Sequence, residues 1–214
     1  MIVLIGGEKG GTAKSTLATN VAVVRARAGH DVLLLDADAQ GSASMWSQLR
    51  DASAIKPRIP CIQKFGQGVQ AEVRDLSSRY EDIIIDAGGR DSTELRAALV
   101  AAQRVFTPVL SSQFDLWSLE KMDELVATAK GFNETLEAFM VITRAPTNPS
   151  IREIQEAREF LQDFTHYRLC RTVIYERVAW RKASRQGLSV IELERQDHKA
   201  SGELKLLCED MFRE

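Results

Sequence analysis

The chain has little cysteine, few aromatic residues, no long apolar run and almost no charge imbalance. Each shortage removes a class of protein. Three cysteines in 214 residues, Cys61, Cys170 and Cys208, form no CxxC pair. They indicate neither a zinc site nor a disulfide framework, and reduced, buried thiols in a cytoplasmic protein are expected. No stretch of about 18 consecutive apolar residues occurs, so no membrane span is expected. The opening Met1–Gly7 lacks a basic leader and a cleavage site, which argues against a signal peptide. Lys plus Arg number 28 against 30 Asp plus Glu, a net charge of −2. That excludes a protein coating nucleic acid through bulk charge, but not a local basic patch. Histidines 30, 166 and 198 are scattered and suggest no ligand set.

Hydrophobic content is 44% and charged content 27%, average for a folded globular chain. The length suits one domain over residues 1–214 with a sizeable core. Short apolar runs alternate with longer amphipathic segments. Strands are predicted at Ile2–Ile5, Val32–Leu35, Ile83–Ile85, Val105–Val109, Phe139–Ile142 and Leu169–Ile174, with a weaker one at Ile59–Phe65. Helices are predicted at Lys14–Ala28, Ser42–Leu49, Val69–Arg79, Ser92–Ala102, Leu119–Phe132, Ser150–Phe164 and Gly202–Phe212. Most strand candidates are apolar throughout, as parallel strands covered on both faces require. The expected fold is therefore α/β, a three-layer sandwich around a mostly parallel sheet. Ligands in such folds bind beyond the carboxyl ends of the strands, and the informative residues fall there.

The first strand runs into Gly6-Gly7-Glu8-Lys9-Gly10-Gly11-Thr12-Ala13-Lys14-Ser15-Thr16. Glycines let backbone amides curl around an oxyanion, and the following helix N-terminus faces the same anion. Lys14 would supply charge to the β- and γ-phosphates, and the Ser15 hydroxyl would ligate Mg²⁺. Glu8 and Ala13 occupy the two glycine positions of the strict GxxxxGK[ST] pattern. An alanine at position 13 is expected to need negative φ. The second strand ends in Asp36-Ala37-Asp38-Ala39-Gln40-Gly41. Two carboxylates there suit outer-sphere metal acceptance and the orientation of an attacking water. Ile83-Ile84-Ile85-Asp86 reads as a Walker B strand, with Asp86 holding Mg²⁺ through water. Gly88 and Gly89 follow as a plain tight turn or a switch that senses the γ-phosphate.

Lys9-Gly10-Gly11-Thr12-Ala13-Lys14-Ser15 resembles KGGxxK[ST], the deviant Walker A motif of one branch of P-loop NTPases. Asp36 to Gly41 is similar to the DxDPQG segment of its ParA-type members, with Ala39 in place of proline. Ala87-Gly88-Gly89 looks more like the short, ParF-like plasmid partition class than the usual Cys-Pro-Pro stretch. The resemblance spans nearly the whole chain and implies an ATPase using ATP and Mg²⁺, with slow intrinsic turnover. It implies that Lys9 acts in trans on the nucleotide of a second copy, in an ATP-dependent sandwich homodimer. Asp38 would position the hydrolytic water, making Lys9, Lys14 and Asp38 catalytic. Ser15, Asp36 and Asp86 would serve the metal, and Gly10, Gly11, Thr12, Ala13, Lys14, Ser15 and Thr16 the phosphates. Thr143, Arg144 and Pro146 would line an adenine pocket.

The basic residues Arg171, Arg177, Arg181, Lys182 and Arg185 could bind DNA phosphates without reading sequence, or form a solvated helix face. Trp180 among them is expected to be a core or interface anchor. Asp115 is expected to cap the helix after it. The function implied is a switch for plasmid or chromosome partition, cytoplasmic and nucleoid-associated, reset by a centromere-binding partner. No DNA-reading domain is expected ahead of the phosphate loop. A related switch would instead position a protein assembly through a cargo adaptor. A metabolic P-loop ligase is a third reading, against which Lys9 weighs. The acidic polar face of the last helix argues against a membrane-targeting tail.

Overall fold

The computed structural model describes residues 1–111, 116–148 and 152–213. Two expectations, the helix cap at Asp115 and the helix start at Ser150, lie outside these residues. The elements alternate in chain order: β1 (Ile2–Ile5), α1 (Lys14–Arg27), β2 (Val32–Asp36), α2 (Ser42–Ala52), β3 (Cys61–Gln63) and α3 (Gly68–Leu76). There follow β4 (Asp82–Asp86), α4 (Thr93–Ala101), β5 (Arg104–Leu110), α5 (Leu116–Lys130), β6 (Glu137–Ala145) and α6 (Glu153–Leu161). The chain closes with β7 (Arg168–Tyr175), α7 (Val178–Ser184), a 3₁₀ turn at Val190–Glu192 and α8 (His198–Phe212).

The seven strands form one sheet in the order β3-β2-β4-β1-β5-β6-β7. Every pairing is parallel. The apolar runs dictate this, because alternate side chains enter two separate cores. Leu4, Leu33, Leu35, Ile83 and Ile85 join α3, α4, α5 and α6 on one face. Val3, Ile5, Val32, Leu34 and Ile84 join α1, α2, α7 and α8 on the other. The expected three-layer α/β architecture is what the chain adopts.

The register places the functional strand ends side by side. Ile5 pairs with Asp86, and Asp86 with Asp36. The phosphate loop leaving β1, the acid ending β4 and the acids ending β2 therefore converge by topology alone. The opposite end of α2 is fixed too. Arg50 is fully buried and forms a bidentate pair with Glu192 at 2.7 and 2.8 Å. It also donates to the carbonyls of Gly187 and Pro57. Among the described residues no helix is long and apolar enough to cross a membrane.

Candidate active site

Gly11 and Ala13 both take left-handed backbone, with φ of 75° and 76°. This overturns the expectation that an alanine at position 13 needs negative φ. The Cβ costs about 1 kcal/mol relative to glycine in that region, and the loop bears it. The reason is local: Ala13 precedes α1 directly, and its carbonyl accepts the first helical bond, from Leu17. No side chain caps α1, so its first-turn amides remain open to an anion. The loop is braced from beneath. Thr143 is fully buried and its hydroxyl donates to the Thr12 and Val109 carbonyls at 3.1 and 3.2 Å.

A cleft of about 1000 Å³ opens over this loop. Gly10, Gly11, Ala13, Lys14, Ser15, Thr16 and Asp38 line it, as expected. Thr12 is buried below. The Lys14 ammonium donates to the Lys9 carbonyl at 2.6 Å. Burial lowers its pKa, while Asp86 and Asp38 act to raise it. The Lys9 ammonium has no partner among the described residues.

The two buried strand-end acids differ. Asp36 accepts from the amides of Asp38 and Ser44, at 3.1 and 2.8 Å, so it pins both the acidic loop and the start of α2. Asp86 is fully buried, and neither of its oxygens has a hydrogen-bond partner among the described residues. Burial pushes its pKa to about 7. The Ser15 hydroxyl, near but without hydrogen-bond geometry, and the Lys14 charge temper the rise; Asp36 and Asp38 add to it. An orphaned, desolvated carboxylate beside a serine hydroxyl fits a hydrated Mg²⁺. Such an ion is held by one or two carboxylates plus substrate phosphates rather than an all-protein cage. Ser15 and Asp86 would hold it here, with Asp36 steadying the strand end. Asp38 is half-buried and turns one oxygen to the Gln40 amide at 3.0 Å.

The three adenine candidates do not share one cavity. Thr143 spends its hydroxyl on the loop. A second cavity of about 430 Å³ beside the loop is lined by Arg144, but not by Thr143 or Pro146. Arg144 has φ of 51° and bridges the Gly11 carbonyl at 3.1 Å and Glu176 at 2.7 Å. The basic patch is also smaller than expected. Arg177 is held by Glu203 at 2.8 and 2.5 Å and leaves the exposed set. Arg171 is exposed too, but it lies mid-strand in β7, roughly 13 Å from the strand's end. Arg181, Lys182 and Arg185 remain exposed on and just after α7. Trp180 is buried, its indole donating to the Tyr175 carbonyl at 3.2 Å.

Sequence reasoning missed three features. Met45, Leu49 and Phe65 place exposed apolar side chains on the cleft rim. Lys121 on α5 pairs with Glu8 of the phosphate loop at 2.9 Å. Arg90 lines the cleft. Only Arg90 had a sequence signal, its place directly after the Gly88-Gly89 turn.

Comparison with known proteins agrees with this geometry. The family model described as the CobQ/CobB/MinD/ParA nucleotide binding domain matches residues 3–190. The maintenance of carboxysome distribution protein A of Halothiobacillus neapolitanus is 23% identical over 95% of this chain and 93% of its own length. The sporulation initiation inhibitor protein Soj of Bacillus subtilis is 26% identical over 89% of this chain and 90% of its own. Among solved structures, an ATP complex of Cyanothece McdA superimposes with a TM-score of 0.80 at 16% identity. It covers 98% of this chain and 95% of that one.

Proposed function

Because the chain belongs to the CobQ/CobB/MinD/ParA nucleotide-binding family, we propose that it is an ATP-hydrolysing switch that positions cargo. One observation carries the reading: the open phosphate cradle and the orphaned Asp86 meet at the ends of adjacent strands, with Asp38 beside them. Lys14 and the α1 amides hold the β- and γ-phosphates. Ser15 and Asp86 hold Mg²⁺, which supplies charge neutralisation to the phosphates when bound. Asp38 accepts a hydrogen bond from water and orients it for attack. The Lys9 ammonium, unpaired among the described residues, is the cation a second copy receives, so two copies close over two nucleotides. Turnover is slow until an adaptor completes the site.

Arg181, Lys182 and Arg185 give the closed dimer a face for nonspecific DNA phosphates. Partition of plasmid or chromosomal DNA through a centromere-binding protein is one cargo reading. Positioning of a protein assembly is the other, and the carboxysome-distribution relative, matched over 95% of the chain, favours it. The test is DNA retention with ATP, ADP or no nucleotide, with sizing of the complex by light scattering. DNA retention and dimer formation only with ATP are expected. Retention independent of nucleotide would overturn the switch.

A further inference from the structure

Asp86 ends β4, and the chain turns at once through Gly88 and Gly89. Both glycines press onto the site. A Cβ on Gly88 would lie 3.0 Å from the Asp38 carboxyl carbon. A Cβ on Gly89 would lie 3.0 Å from the Gly10 amide nitrogen, the Lys9 carbonyl carbon and the Lys14 ammonium. The turn therefore rests on the rim of the phosphate cradle and on the acid that faces it. Consecutive Cα atoms are about 3.8 Å apart, so Arg90 begins one residue from the Lys14 ammonium. Its side chain is exposed and lines the cleft.

The charges around Arg90 are engaged. Asp91 is paired with Arg96 at 2.7 and 2.8 Å, and Lys121 pairs with Glu8 while reaching Asp91 at 3.8 Å. Arg90 has no hydrogen-bond or ion-pair partner among the described residues. Asp91, the next residue, spends its carboxylate on Arg96 rather than on Arg90. Lys14, Asp38 and Glu94 share the cleft lining with Arg90. A terminal phosphate adds more negative charge there, and a planar guanidinium matches phosphate oxygens in bidentate fashion.

We infer that Arg90 reads the terminal phosphate of a nucleoside triphosphate bound in its own subunit, and is idle with the diphosphate. The inference rests on the nucleotide reading above. Placed on the turn that touches Gly10, Lys14 and Asp38, Arg90 ties the position of that turn to the presence of the third phosphate. The Asp91 pairs then connect the turn to α4 and α5.

The test is calorimetric binding of MgADP and of a magnesium complex of a non-hydrolysable ATP analogue to the full chain. Arg90→Gln, Arg90→Lys and Lys14→Ala are compared with the unaltered protein. Arg90→Gln is expected to weaken analogue binding about tenfold or more and to leave ADP affinity within about twofold. Arg90→Lys, which keeps the charge, recovers part of the loss. Equal loss for both nucleotides, unchanged analogue affinity, or no difference between the Lys and Gln variants would each overturn the assignment. Repeating the titrations in a Lys9→Ala background removes the second copy. A loss that vanishes there overturns the same-subunit assignment. Lys14→Ala separates the two levels. If it binds both nucleotides normally, the nucleotide reading itself fails; if it binds neither while Arg90→Gln binds both, only the Arg90 role fails.

Discussion

Asp36 and Asp86 sit in register at the ends of adjacent parallel strands, yet of the two only Asp36 finds hydrogen-bond partners for its carboxylate among the described residues. Backbone amides of Asp38 and Ser44 satisfy the Asp36 carboxylate, whereas burial raises the pKa of Asp86 to about 7. Opposite jobs follow from equivalent positions.

That contrast gives a pH dependence. The folded pKa of Asp86 is raised, so between its ordinary value of 3.8 and about 7 the native state holds a proton the unfolded chain has released. Its contribution to stability therefore falls as pH rises through this window, by on the order of 3 kcal/mol. Denaturant unfolding of the nucleotide-free protein should show this slope, and Asp86→Asn should flatten it. Mg²⁺ added at pH 8 should restore stability to the unaltered protein and not to the variant.

The two lysines of the phosphate loop should separate cleanly. Lys14→Ala is expected to lose nucleotide affinity about 100-fold or more, since a buried charged hydrogen-bonding group is removed from the phosphates. Lys9→Ala should keep monomer binding within about threefold and fail to dimerise with ATP. Calorimetry and light scattering read the two effects. Equal dimer formation by the Lys9 variant would remove its role in trans.

Asp38→Ala is expected to bind ATP and dimerise, but to lower phosphate release by about 100-fold, the scale of a lost positioning or base group. Steady-state phosphate release checks it, and unchanged turnover would take Asp38 out of catalysis.

Arg181→Glu with Lys182→Glu should abolish ATP-dependent DNA retention and flatten its salt dependence by about two phosphate contacts. Arg177→Ala tests the corrected patch. Its guanidinium is already held by Glu203, so its loss should leave the salt slope of DNA retention unchanged.

Arg50→Ala should destabilise the fold by about 3 kcal/mol, because the buried Glu192 would lose its bidentate partner and keep only the half-exposed Arg27 at 3.7 Å. Urea unfolding measures this. A loss under about 1 kcal/mol would mean that the pair is not an anchor.

Much of the fold was legible because apolar runs report burial. Ile2–Ile5 and Val32–Leu35 match β1 and β2 to within a residue. The sheet order and the register of Asp36 against Asp86 were not legible, since strand neighbours depend on crossovers that no local pattern encodes. Phosphate-loop residues could be read because glycine spacing and Lys14-Ser15 carry their chemistry locally. Polar partnerships across the chain could not. Arg177 meets Glu203 26 residues away, and Thr143 meets the Thr12 carbonyl 131 residues away. Residue type and helical spacing made the first resemble a DNA contact, and the family resemblance of its loop made the second resemble a base contact. Ala13 was misjudged for another reason: a steric preference of about 1 kcal/mol is small beside the packing that surrounds the loop.

The 11-residue helix α2 is tethered at both extremities. Its first turn hangs from Asp36 through the Ser44 amide, and its last turn is clamped through Arg50 to Gly187 and Glu192, just past α7. A stiff rod of roughly 16 Å secured in this manner works as a tie-bar. The strand tip bearing Asp36 and the segment bearing Arg181 and Lys182 are thereby braced against each other, and neither end shifts without straining the other.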